Sequence, residues 1–166
     1  MTQAKRVKPE LYVKNQQRSR PINRRHLCRI VRSFLQDDLD REQCILAIYL
    51  VNDRRITQLN ETHLHHAGPT DVIAFDYSDV RSPRRKEADS IPLIGDVFIC
   101  VEEAIRQSAK YRTSWQSEVI RYIVHGILHL CGYDDQTSAA RKKMKREENR
   151  LLRELSTRFS FTRLKA

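Results

Sequence analysis

Between Cys44 and Val51 the chain reads CILAIYLV, an apolar run without polar alternation, and this predicts a strand buried on both faces. Thr70 to Tyr77 (TDVIAFDY) and Leu93 to Val101 (LIGDVFICV) predict two further core strands, and the weaker alternation of Leu11 to Gln16 predicts a first one. Helical spacing separates them. After Pro21, the recurrence of Leu27, Ile30, Val31, Phe34 and Leu35 predicts a helix from Ile22 to Leu39, with Arg24, Arg25, Arg29 and Arg32 on its outer side. Asn52 or Asp53 caps a short helix running to about His63, with Ile56 and Leu59 facing inward, and Glu102 to Tyr111 forms another.

The most apolar helix comes next. Thr113 with Gln116 reads as its capping box, and it runs to about Cys131. Val119, Ile120, Tyr122, Ile123, Val124, Ile127, Leu128 and Leu130 cover most of its sides, while Glu118, Arg121, His125 and His129 fall in one polar stripe. A helix buried on most faces must aim such a stripe into a cleft. Thr137 or Ser138 caps a last helix to about Leu155, packed through Met144, Leu151, Leu152 and Leu155. Residues 1–10 read as disordered, 11–155 as a single domain, and 156–166 as a frayed basic tail. SDVRSPRRKEADS, residues 78–90, has no periodicity and reads as a mobile hairpin loop, a candidate lid. Strands interleaved unevenly with helices predict an α+β domain: a small mixed sheet of about four strands, helices mainly on one side, and the chemistry at the end of a core helix.

At 166 residues, 40% of them hydrophobic, the chain supports one domain with a real core. Its longest apolar run is too short to span a membrane, and its polar N-terminus lacks the apolar core of a secretion signal, so a cytoplasmic protein is expected. Cys28, Cys44, Cys100 and Cys131 lie without CxxC spacing, as buried thiols of a reducing compartment do. The net charge of +10 is unevenly placed: residues 1–41 carry +7, residues 141–166 carry +7, and residues 42–140 carry −4. A slightly acidic middle between two basic arms suits a polyanion laid across the domain, as well as a merely solvated surface.

Candidate chemistry gathers in His125-Gly126-Ile127-Leu128-His129-Leu130-Cys131-Gly132-Tyr133-Asp134-Asp135. Histidines four apart share one helical face and can reach a single ion. Gly132 can take the left-handed conformation that ends a helix and turns Asp135 back towards them as a third ligand. The spacing H-x3-H-x2-G-x2-D is that of extended zincin motifs, with two changes. Glycine replaces the glutamate general base, which disfavours peptide hydrolysis, and aspartate replaces the last histidine. Three ligands and an open position suit one ion, zinc or another divalent metal.

The segments ITQLN, GPTDVIAF, IGDVFIC and HGILHLCGYD, in this order between Asn52 and Asp135, resemble the YbeY-type endoribonucleases, metal-dependent proteins of small-subunit ribosomal RNA maturation and ribosome quality control. The resemblance implies a metal-dependent endoribonuclease of single-stranded RNA, with ribosomal RNA and the small ribosomal subunit as partners. The metal ligands would be His125, His129 and Asp135, the last standing where the family has a third histidine, and metal-bound water would be the nucleophile. Arg121 would position the backbone, and Glu118 or Asp134 would relay a proton. Where the family has an arginine before Pro-Thr-Asp, this chain has Leu64; His63, His65, His66 and Arg121 are the candidates to replace its contact with RNA. Thr70, Asp71 and Asp96 are expected to organise turns and brace a motif histidine. Two other readings stand beside this one: a non-catalytic ribosome-binding factor whose structural zinc takes a fourth ligand from His63, His65 or His66, and a metal hydrolase of another substrate.

Overall fold

The structure, a computed structural model, describes residues 8–41, 43–78 and 92–166. Four strands, β1 (Glu10–Asn15), β2 (Cys44–Val51), β3 (Val72–Asp76) and β4 (Leu93–Cys100), form one sheet in the order β1-β2-β4-β3. β1 and β4 flank β2 in parallel, and β3 joins β4 antiparallel, pairing Val72 with Ile99 and Asp76 with Gly95. The sheet is therefore mixed and four-stranded, as expected. The helices are α1 (Arg24–Ser33), α2 (Asp53–Leu59), α3 (Val101–Tyr111), α4 (Trp115–Leu130) and α5 (Ser138–Arg158). Single π-helical turns prolong α1 over Phe34–Asp38 and α2 over Asn60–Leu64.

Local chemistry accounts for most helix starts. Asn23, Asn52, Ser114 and Thr137 each accept a bond from a first-turn N–H, which stabilises a helix by about 1 kcal/mol apiece. Ser114 caps α4, not Thr113. The Thr113 hydroxyl instead donates to Glu118 Oε1 at 2.6 Å, a bond that a first-turn carboxylate turned back towards the chain entering the helix makes available.

The larger core lies on one face of the sheet. Leu46, Ile48 and Leu50 of β2 meet Leu27 and Ile30 of α1 and Val119, Ile123 and Ile127 of α4, all essentially inaccessible to water. Each such side chain contributes on the order of 1.5–3 kcal/mol by burial. Among the described residues the other face is covered by α2, through Ile56 and Leu59 against Val51, Ile73, Phe98 and Cys100. β2 is consequently not buried on both faces: seven residues of α2 are too few to reach its beginning, and Ile45 stays 45% exposed.

The C-terminal segment also departs from expectation. α5 continues to Arg158, and a 3-10 turn over Phe161–Leu164 folds back so that Leu164 is fully buried. His26 Nε2 bonds the Ser160 carbonyl at 2.8 Å, and Lys165 bridges Ile22. This end is a packed cover for α1 and α4, not a frayed tail. Of the segments expected to be irregular, residues 1–7 and 79–91 lie outside the described residues, whereas Glu10 already belongs to β1.

Candidate metal centre

Helix α4 comes unusually near the sheet at Gly126. A Cβ there would meet Val97 Cγ1 at 2.6 Å and Val72 Cγ2 at 3.1 Å, so no larger residue fits and the zincin glutamate has no room at this position. Close approach fixes the neighbouring His125. Four residues on, α4 ends in a Schellman turn: Gly132 N bonds His129 O at 3.0 Å, Tyr133 N bonds Leu128 O at 3.1 Å, and Gly132 takes φ +96°. The predicted glycine turn is thus present, and it turns the chain so that Asp135 faces the histidines.

His125, His129 and Asp135 present ligand atoms that all lie within 4.8 Å of one another. His129 Nε2 stands 3.0 Å from His125 Nε2 and 3.8 Å from Asp135 Oδ2. The outer ring nitrogens explain why. His125 Nδ1 meets the Glu148 carboxylate at 3.0 Å and His129 Nδ1 meets the Tyr133 carbonyl at 3.0 Å. Carboxylates and carbonyls only accept, so each Nδ1 carries a hydrogen and, in the neutral ring, each Nε2 offers a lone pair. Two lone pairs at 3.0 Å repel unless a cation stands between them. Nitrogens bound to zinc at about 2.0–2.1 Å in a tetrahedron are roughly 3.3 Å apart, so the residues fit a divalent ion with little movement.

Glu148 is the residue that sequence reasoning missed. It is 4% exposed, and besides His125 it accepts from Arg121 Nη1 at 2.7 Å, while Lys145 Nζ lies at 3.6 Å. Burial opposes its charge, but the bonds from His125 and Arg121 outweigh this and hold the carboxyl below its usual range. Burial likewise opposes charge on His125, and the Glu148 contact together with the nearby charges of Asp71 and Asp135 outweighs it and raises the ring. One signal was available: Glu148 sits four residues after Met144 and three before Leu151, on the packing side of α5.

The other sequence candidates separate. Arg121 lines the same cavity, and Nη1 is committed to Glu148 and to Asn149 Oδ1 at 2.9 Å. Glu118 is also in the cavity, but seven helical residues put it about 10 Å along the axis from His125, too far to relay a proton at the ligand cluster. Asp134 is exposed, and its Oδ1 accepts from Gln136 N at 3.1 Å, which shapes the turn. His63, His65 and His66 are exposed, and His63 packs edge-on against Phe75, whose side of the sheet is the one covered by α2. They therefore lie across the sheet from α4 and supply no fourth ligand. Asp71 Oδ1 accepts from Thr70 and from Val72 N, organising its turn as expected, and Asp71 lines the cavity with His125. Asp96 instead accepts from the Tyr77 hydroxyl at 3.2 Å and braces no histidine. Cys131 is half-buried against the core, where burial pushes its thiol up, and it is not among the three residues whose ligand atoms converge.

Between α3, α4 and α5 the cavity encloses about 870 Å³ and contains His125 and Asp135, with Arg141, Lys142 and Lys145 of α5 along its wall. Two helix-borne imidazoles, a carboxylate from the following turn and a cationic wall define a small α+β protein with a site able to hold a metal ion beside an anionic ligand. The family model described as Endoribonuclease YbeY matches residues 12–156. An Endoribonuclease YbeY of Azobacteroides pseudotrichonymphae genomovar. CFP2 is 37% identical over 134 residues, covering 81% of this chain and 88% of the relative. One from Aquifex aeolicus (strain VF5) is 38% identical over 112 residues, covering 67% and 70%. A Thermotoga maritima protein solved in solution shares the fold, with TM-score 0.59 at 18% identity over 87% of this chain and 88% of its own. The chain belongs to the YbeY family of hydrolytic endoribonucleases.

Proposed function

We propose that the protein hydrolyses single-stranded RNA during maturation of the small-subunit ribosomal RNA and in ribosome quality control, in the cytoplasm, using one zinc ion held by His125, His129 and Asp135. The observation that carries this is the convergence of those three ligands beside a cavity that His125 and Asp135 line and that Arg141, Lys142 and Lys145 wall, where a phosphate backbone finds both counter-charge and the ligand cluster. Among the described residues no helix is long and apolar enough to cross a membrane.

His125, His129 and Asp135 would hold a divalent ion, which would supply Lewis acidity at a phosphoryl oxygen and acidify water towards pKa ~7. The chain's residues do the rest. Glu148 fixes the His125 ring and its tautomer, and the Tyr133 carbonyl does the same for His129. Arg121 holds Glu148 in place through Nη1 and, lining the cavity, can also position the RNA backbone. Arg141 bonds the Asp135 carbonyl at 3.1 Å, tying the ligand turn to the cationic wall that would seat the RNA strand. With three protein ligands in the group and His63, His65 and His66 across the sheet, an open coordination position is favoured over a closed structural site.

The test measures bound metal and cleavage of a single-stranded ribosomal RNA fragment together. His129→Ala, folded by circular dichroism, is expected to lose both. Cleavage unchanged in that variant would overturn the reading.

A further inference from the structure

The cavity has two ends of opposite character. Near His125 and Asp135 its lining carries Arg141, Lys142 and Lys145 beside Asp71; towards the start of α4 the carboxylate of Glu118, the amide of Gln107 and the ring of Tyr111 line it, with Tyr122 one turn further along α4. Phosphate is repelled from that acidic end. Acceptors are prominent there: among the described residues Glu118 accepts from the Thr113 hydroxyl at 2.6 Å and faces Arg121 Nε at 4.0 Å, and the Gln107 amide gives one of its two N–H groups to Glu103 and keeps its carbonyl oxygen as an acceptor. One buried donor lacks a partner. Tyr122 is 5% exposed, and among the described residues its hydroxyl is the buried side-chain polar atom without a hydrogen-bond partner. A buried hydroxyl left unpaired is costly, and such a group in a ligand cavity marks a place where a partner is missing.

We propose that this end is a base subsite selective for guanine, occupied by the nucleotide next to the scissile phosphate; the proposal rests on the RNA-cleaving reading of the ligand cluster. Glu118 lies about 10 Å along α4 from His125, a span on the order of one nucleotide. Guanine alone presents two adjacent donors, N1–H and N2–H, on its pairing edge, which a carboxylate accepts together, and beside them O6, an acceptor for the Tyr122 hydroxyl once a small turn of the ring exposes it. Uracil offers a single donor between two acceptors and would face Glu118 with a carbonyl. Tyr111, 62% exposed at the rim, gives the base an aromatic face to stack on. The cavity's 870 Å³ is within the range of about 300–1,000 Å³ common to small-ligand sites.

The experiment measures binding of four single-stranded oligoribonucleotides, uniform except for G, A, C or U at one position, to the full chain stripped of metal, by fluorescence anisotropy. Cleavage of the same four by metal-loaded protein is measured alongside. The wild type is expected to bind the G strand about tenfold more tightly than the U strand. Glu118→Gln and Tyr122→Phe are each expected to bring that ratio to within about twofold, and Tyr111→Ala to weaken all four strands alike. Tyr122→Phe removes one oxygen, so the comparison survives if Glu118→Gln fails to fold. Equal binding of the four strands by wild type, or an undiminished ratio in both folded variants, overturns the subsite. Guanine preference without any cleavage supports the subsite and overturns the nuclease reading; cleavage without base preference does the reverse.

Discussion

Nδ1 of His125 and Oε2 of Glu148 meet at 3.0 Å, joining the ligand helix α4 to α5, which crosses it 23 residues later. The contact sets which nitrogen of His125 faces the ligand cluster. It also leaves Glu148, a carboxylate 4% exposed, with Arg121 as its other close partner.

Glu148→Gln keeps the shape but removes the charge and can donate where the ring needs an acceptor. Metal affinity is expected to fall about 10–100-fold, as for other residues that orient a metal-binding histidine. Competition against a chelator of known affinity measures it. Undiminished affinity would show that His125 is oriented without this contact.

Gly126→Ala tests how closely α4 approaches the sheet. The added methyl would lie 2.6 Å from Val97 Cγ1, so α4 or β4 must move, at a cost of about 1–3 kcal/mol. Urea denaturation should report that loss, and the displaced His125 should weaken metal binding as well. A variant as stable as wild type would mean that the helix sits farther out.

Leu164→Ala probes the folded-back C-terminal segment. Leu164 is fully buried, and removing such a side chain typically costs about 2–5 kcal/mol. A frayed end would lose nothing, so an unchanged urea midpoint would contradict the packing described here.

These residues also mark where reading the chain succeeds and where it stops. β2 was legible residue for residue because an unbroken apolar run has no other use in a chain of this size, and Gly132 because a helix end needing positive φ selects glycine. His125, His129 and Asp135 came within reach because helix geometry and one turn determine their placement. Glu148 did not: its role depends on where α5 crosses α4, which local periodicity does not encode. The α4 cap was misplaced by one residue because Thr113 and Ser114 are adjacent hydroxyls, and only the turn's geometry chooses between them. Leu164 was overlooked because one buried side chain in a short 3-10 turn makes no repeating pattern. The exposure of Ile45 follows from the short span of α2, a property of the assembled face and not of β2 itself.

The most direct measurement of the central claim is anomalous scattering from a crystal of the zinc-loaded protein, collected on both sides of the zinc absorption edge. The account predicts one strong peak within about 2.0–2.2 Å of His125 Nε2, His129 Nε2 and an Asp135 oxygen, with a coordination position open to the cavity. A peak elsewhere, or one closed by a fourth protein side chain, would contradict it.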